Sequence, residues 1–279
     1  MTPGATNTDN VAENIEAPDI VGLGWGTASA QPVVSSFWAK ASIAGTYDEV
    51  FTPGGHSASY VFPFTITAAN TWQFFSTVIP GPAIGTWNAV QGSIGIEDSF
   101  DLGTGATYQT SSLNTWLSGY YQESTGATQL VANSGATLSI AAVHLTAGPF
   151  APSNYQPRLL ATEYGLARRC FQKSISAGNA VGQNKGAAGA ATTLTPFTSG
   201  SAQMPILFSV AMAAAPTVTL YNTSVADANC YDATKGADVG AGSAVNVGTG
   251  GFTVSCSLSS GSPASGDQIQ VQWSADSGL

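Results

Sequence analysis

Residues 268–273 read Gln-Ile-Gln-Val-Gln-Trp, three apolar side chains alternating one for one with three amides. A period of two puts Ile269, Val271 and Trp273 on one face of an extended chain and the glutamines on the other, the pattern of a half-buried β-strand. The alternation recurs along the chain. Tyr60, Phe62, Phe64 and Ile66 share one face, and Trp72, Phe74 and Val78 repeat the pattern after the turn AAN. Ile94 with Ile96 begins another strand, and Leu138, Ile140 and Ala142 another. The second half adds Ile206, Phe208, Val210 and Met212, then Val218 with Leu220, then Phe252, Val254, Cys256 and Leu258. Helical periodicity is nearly absent. Clusters such as PGPAIG, GTGG and SSGSPASG separate the runs and supply turn chemistry. Many short strands joined by turns predict an all-β chain built as β-sandwiches or jelly rolls. Trp25, Trp38, Trp72 and Trp273 are assigned to its core.

One stretch departs from period two. Leu160, Tyr164, Ala167 and Phe171 recur at three- and four-residue steps, which predicts a short helix despite Gly165. It follows the turn-rich GPFAPSNYQP and precedes SAGNAVGQNKGAAGAATT, a long stretch nearly free of large apolar residues. The expected organisation is an N-terminal arm or anchor (1–14), a jelly-roll domain (15–157), a helical connector with a Gly/Ala-rich loop (158–185) and a C-terminal β domain (186–279). Five of the seven basic residues, among them Arg158, Arg168, Arg169 and Lys173, lie in or beside the connector, whereas Lys40 is the single Lys or Arg before it. The four named cations are candidates for contact with the acidic half of a neighbouring subunit.

Charged residues make up only 8% of the chain, against about one quarter in ordinary soluble domains. The 43% hydrophobic and 10% aromatic content is nevertheless enough to offset the entropy of ordering the chain. A net charge of −9 argues against nucleic acid and against attachment to an anionic membrane, both of which need Lys and Arg. The longest apolar stretch, residues 204–216, is too short to span a bilayer. The N-terminal residues lack a basic start and an apolar core, so no cleaved leader is expected. Cys170, Cys230 and Cys256 match neither a disulfide framework nor a zinc site by spacing. Cys256 lies in an alternating run and reads as a small buried hydrophobe, with a Cys230–Cys256 pair left open.

Nucleophilic catalysis needs a base beside the nucleophile. The two histidines are His56, in the turn-like TPGGHSAS, and His144, placed by period two on the face of Leu138 and Ile140. No G-x-S-x-G element or phosphate-binding glycine loop accompanies them. Glycoside hydrolysis needs two carboxylates, for which Asp48, Glu49, Glu97, Asp98 and Asp101 are the candidates. Glu97 and Asp98 are neighbours and would point to opposite faces of a strand. No catalytic residue, metal site or cofactor is expected; calcium at the acidic residues is left open, without support from the spacing. Sugar binding is better served, because it uses exposed aromatic faces with amides and hydroxyls. Trp87, Trp116, Tyr120 and Tyr121 lie in segments without clean alternation and are the candidate glycan-binding residues.

The segments GLGWGTASAQPVVSSFW, YVFPFTITAANTWQFFSTVIPG and GTW, in that order, resemble a β-domain of phage and prophage structural proteins. The matching elements are W-G-T-A (Trp25 to Ala28), S-F-W (Ser36 to Trp38), N-T-W (Asn70 to Trp72) and I-P-G (Ile79 to Gly81). GATLSIAAVHLTAG matches the closing strand, TEYGLARRCFQKS a connector, and PTVTLYN, FTVS and VQWSADSGL the C-terminal domains of tail-fibre proteins. The resemblance implies a jelly roll like those of carbohydrate-binding modules, a place in the virion, assembled in the host cytoplasm, and no catalysis. By the same analogy the chain is expected as a homotrimer in a tail fibre or tail tip, in contact with other virion proteins and a host surface glycan. A head or neck component, and a glycan-binding module or weak glycan hydrolase, are the competing readings. Similar domains carry further strands ahead of Ile15, so an edge here needs covering by the N-terminal segment or a neighbouring subunit.

Overall fold

The alternating runs pair into antiparallel ladders in the computed structural model, which describes residues 3–149, 159–181, 192–194, 200–225, 227–259 and 264–278. The chain is all-β, with two short α-helices among the described residues, and divides into two compact units, Met1–Pro157 and Arg158–Leu279.

Unit 1 carries β1 (Thr8–Glu16), β2 (Val33–Ala41), β3 (Gly45–Thr52), β4 (Ala58–Ile66), β5 (Gln73–Ile79), β6 (Ile94–Thr104), β7 (Gln109–Thr110), β8 (Trp116–Ser118), β9 (Glu123–Ser124) and β10 (Leu138–Ala147). A four-residue helix, α1 (Ala17–Ile20), follows β1. Five strands form one sheet in the order β1-β6-β3-β4-β8, and three form a second, β10-β2-β5. The sheets sandwich a core in which Phe37 meets Phe64, Phe75 and Phe100 with ring centroids 5.0, 5.6 and 4.9 Å away. Residues 8–14 of the expected arm run along β6 from Thr8 opposite Thr104, so the edge of β6 is paired rather than open.

The core is crossed by a polar rung. Along β2 the inward order is Val33, Ser35, Phe37; along β3 it is Phe51, Glu49, Tyr47; along β6 it is Ile96, Asp98, Phe100. The first member of each trio belongs to one apolar cluster and the last to another, with Ser35, Glu49 and Asp98 between them.

The closing strand corrects the sequence reading of His144. A β-bulge lies between Ala141 and His144, with Ala142 at φ 52°. The extra residue reverses the parity of the strand. Val143 and Leu145 therefore pack on the core, and His144 emerges on the outer face opposite Ser36.

Unit 2 opens with α2 (Leu160–Cys170) and carries β11 (Phe171–Lys173), β12 (Thr192–Leu194), β13 (Ser201–Leu207), β14 (Thr217–Tyr221), β15 (Asn229–Asp232), β16 (Ala237–Gly248), β17 (Gly251–Ser257) and β18 (Ile269–Asp276). The Gln/apolar strand β18 is its hub, pairing with β11, β12, β14 and β15, while β16, β17 and β13 extend the sheet. Trp273, Phe252 and Phe208 pack edge to face or tilted at the centre. The run from Ile206 to Met212 is not one strand. It leaves the ladder after Leu207, where the Ser209 amide and hydroxyl donate to Gln172 Oε1 and the Met212 amide donates to Thr249 O. Cys256 is buried as expected, yet bonded to Cys230. Gly242 leaves the space this needs, since a Cβ there would stand 3.0 Å from Cys230 Sγ. Closing that loop contributes roughly 3.5 kcal/mol on chain-entropy grounds. The turn-rich boundary at 150–157 and most of the Gly/Ala-rich loop lie outside the described residues.

Candidate functional site

Trp38 and Trp72 are not core residues. Trp38 of β2 stands opposite Phe74 of β5, their ring centroids 5.6 Å apart, and both face outward from the three-stranded sheet. Exposure is 43% at Trp38, 42% at Trp72, 54% at Phe74 and 48% at Val78, so four large apolar side chains meet solvent on one face. Trp72 lies at the entry to β5, with Lys40 Nζ 5.1 Å above its ring. Ser36, Ser76, His144 and Thr146 lie among and beside these residues on β2, β5 and β10.

The cause is visible in two dipeptides. Neighbouring residues of a strand point to opposite faces, so Phe37-Trp38 and Phe74-Phe75 each put one ring on either side of the sheet. Phe37 and Phe75 fill the inner positions of the core, which leaves Trp38 and Phe74 outside. These doublets were the signal that reading each strand as a one-faced element missed. An aromatic strip at solvent, bordered by hydroxyls and an imidazole, presents stackable faces and hydrogen-bonding groups together, which marks an interaction surface.

The four glycan-binding candidates from the sequence fall into two other places. Trp87 and Trp116 converge on Trp25, with centroid separations of 4.7 Å and 5.6 Å, and 5.5 Å between themselves. Each indole N–H donates inside the unit, Trp25 to Gln31 O (2.7 Å), Trp87 to Ile84 O (2.9 Å) and Trp116 to Pro80 O (2.6 Å). Gly26 of the W-G-T-A element lies under this trio at φ 84°, where a Cβ would come 2.9 Å from Trp87. The three rings close one end of the sandwich core and their polar handles are already used. Tyr120 stacks on His56 at 4.3 Å and 14°, and His56 Nε2 lies 3.3 Å from Glu97 Oε2. The Tyr121 amide donates to Ser59 Oγ, fixing the covering segment to β4.

The carboxylates considered for hydrolysis are mostly shut inside. Glu97 and Asp98 do point to opposite faces, Glu97 toward His56 and Asp98 into the core. Burial pushes Glu49 well above the usual carboxylate range, helped by Asp98 and opposed by a hydrogen bond from Ser35 Oγ (2.6 Å). Burial, with the charge of Glu13, raises Asp98 to about 8. A second group lies between the outer face of the five-stranded sheet and the segment around β7 and β9. There burial raises Asp48 to about 6, against hydrogen bonds from the Ser124 amide and hydroxyl at 2.8 and 2.9 Å. Burial raises Asp101 to about 9, against the Thr104 hydroxyl and with nearby Glu123 adding to the rise. Glu123 takes the amides of Gln109 and Gln129. Asp48, Glu49, Asp98 and Asp101 present almost no surface to a substrate.

Of the connector cations, Arg158 lies outside the described residues. Arg168 and Arg169 occupy the last turn of α2, where positive charge suits the helix dipole. Lys173 Nζ donates to the Asn179 and Ala177 carbonyls and holds the following loop. Among the described residues no group of three or more His, Cys, Asp and Glu is placed to hold a metal ion. No helix among them is long and apolar enough to cross a membrane.

No family model matches the chain, and no curated protein does. Among solved structures, discoidin II from Dictyostelium discoideum aligns over 88% of this chain and 71% of its own, at 11% identity and a TM-score of 0.21. The PBSX exported protein XepA aligns over 99% and 84%, at 8% identity and a TM-score of 0.22. Likeness at this level carries no argument about this chain.

Proposed function

We propose that the chain is a non-catalytic structural protein of a bacteriophage virion, a tail-fibre or tail-tip component, whose first unit holds host surface glycan on the outer face of β10-β2-β5. The observation that carries the glycan reading is the Trp38–Phe74 pair with Trp72 beside it, solvent-facing rings on a rigid sheet. A sugar ring stacked there replaces water on apolar surface, and Thr146 and Ser76, whose hydroxyl donates to Ser35 O and can still accept, lie at its edge. The assignment to a virion rests on the ordered W-G-T-A, S-F-W, N-T-W and I-P-G elements. A head or neck position is the second reading of the same elements.

Assembly with copies of itself is supported by α2, and the threefold symmetry is taken from the tail-fibre resemblance. No residue of that helix is buried, and Leu160, Tyr164 and Ala167 follow the four-three spacing of a coiled-coil seam. Glu163 and Arg168, five residues apart, flank the seam at positions that face each other between parallel helices.

Trp38→Ala tests the glycan face. On a glycan array followed by calorimetry, the substitution is expected to weaken binding by about tenfold or more, as removal of a central aromatic anchor does. Stability should change by less than about 1 kcal/mol, because the ring is not part of the core. Undiminished binding by Trp38→Ala, with loss in Trp116→Ala instead, would move the site to the Trp25 cluster.

A further inference from the structure

The charge of unit 1 is sorted between its two sheets. All ten acidic residues before position 158 lie on β1, α1, β3, β6 or β9, that is, on the five-stranded sheet and the segments laid along it. The strands β2, β5 and β10 contain no acid, and their ionisable side chains are Lys40 and His144. Lys40, the single Lys or Arg in this acidic half of the sequence, therefore falls on the aromatic face. The cation–π contact with Trp72 holds this positive charge beside the exposed rings, so cation and aromatic surface form one patch.

We infer that this face takes an acidic polysaccharide, a chain of uronic-acid pyranoses, rather than a neutral one; the inference rests on the glycan-binding reading of the same site. The rings of Trp38 and Phe74 are inclined at 55°, so successive pyranoses of the chain stack one on each, and the carboxylate of one of them is met by Lys40 Nζ. The acids of the unit lie on other elements, so they do not line the face that meets the polymer. Charge and aromatic surface act together: the cation selects the carboxylate, and the rings select a sugar over any other polyanion.

The test measures binding of an oligogalacturonate and of a neutral galacto-oligosaccharide of equal length, with inorganic polyphosphate as a third probe. Wild-type protein should prefer the oligogalacturonate by about tenfold, the usual worth of one charge-assisted hydrogen bond, and Lys40→Gln should abolish that preference while Lys40→Arg retains it. Affinity for the acidic sugar should also fall as salt rises. Equal binding of the two sugars, unchanged in Lys40→Gln, overturns the acidic specificity and leaves the glycan reading standing. Polyphosphate bound as tightly as the oligogalacturonate overturns it as well, by reducing the site to charge alone. Binding of neither sugar removes the glycan reading with it.

Discussion

Raising the pH from about 4.5 to about 9.5 is expected to lower the melting temperature of unit 1 steeply, because its buried carboxyls must give up their protons inside the fold. In the unfolded chain an aspartate releases its proton near about pH 3.9. In the folded unit Asp48, Asp98 and Asp101 hold theirs up to about 6, about 8 and about 9, and Glu49 is raised as well. Between those limits the folded state binds more protons than the unfolded state, so stability falls as pH rises and levels off above the folded values. Every tenfold difference in proton affinity between the two states is worth about 1.4 kcal/mol, so one carboxyl as deeply buried as Asp98 changes stability by several kcal/mol across the range. Unit 2 contrasts with this: its Asp267 is held low by Lys235 and acts only near and below the ordinary carboxylate range. Calorimetric scans across pH should show the unit 1 transition moving down. Asp98→Asn, which mimics the protonated side chain, should flatten the slope and exceed wild type at alkaline pH. A unit 1 transition that climbs with pH would show that these groups are ionised in the fold.

Phe37→Ala is expected to cost unit 1 about 3–5 kcal/mol, a large part of the stability of an ordinary domain. The ring is fully buried and touches Phe64 and Phe100 across the sandwich and Phe75 on the neighbouring strand. Four aromatic rings on two facing sheets cannot collapse onto a methyl group, so the substitution leaves a cavity. Denaturant titration measures the loss. A cost below about 1 kcal/mol would mean that the sheets do not pack here as described. Trp38→Ala should cost far less, since the two residues are adjacent in sequence and on opposite sides of one strand.

That adjacency marks where the sequence was legible and where it was not. The strands at Tyr60–Ile66 and Ile269–Trp273, and the helix near Leu160, were readable because the apolar period was clean and the turns were explicit. Period two says which residues share a face, but not which face is inside. For β5 the set Trp72, Phe74 and Val78 was the conspicuous one, yet Phe75 and Ile79 fill the core. His144 failed for another reason: a single bulge at Ala142 inverts parity, and an alanine gives no warning of a left-handed conformation. The buried rung of Ser35, Glu49 and Asp98 was likewise hidden, because polar letters in a strand are read as solvent-facing. Trp87 and Trp116 came from irregular segments, as exposed binding residues often do. Here the irregularity is a loop folding back to cap the core, and the indole N–H groups are satisfied within it.

The proposed role in a virion turns the outer face of β10-β2-β5 toward the host. Cryo-electron microscopy of the native particle tests this most directly, by tracing where the chain sits and how its copies are arranged. Three copies are expected about an axis at a fibre or tail tip, α2 seams facing one another, and Trp38, Trp72 and Phe74 turned outward. Density on the capsid or neck, with those rings buried between subunits, would contradict it.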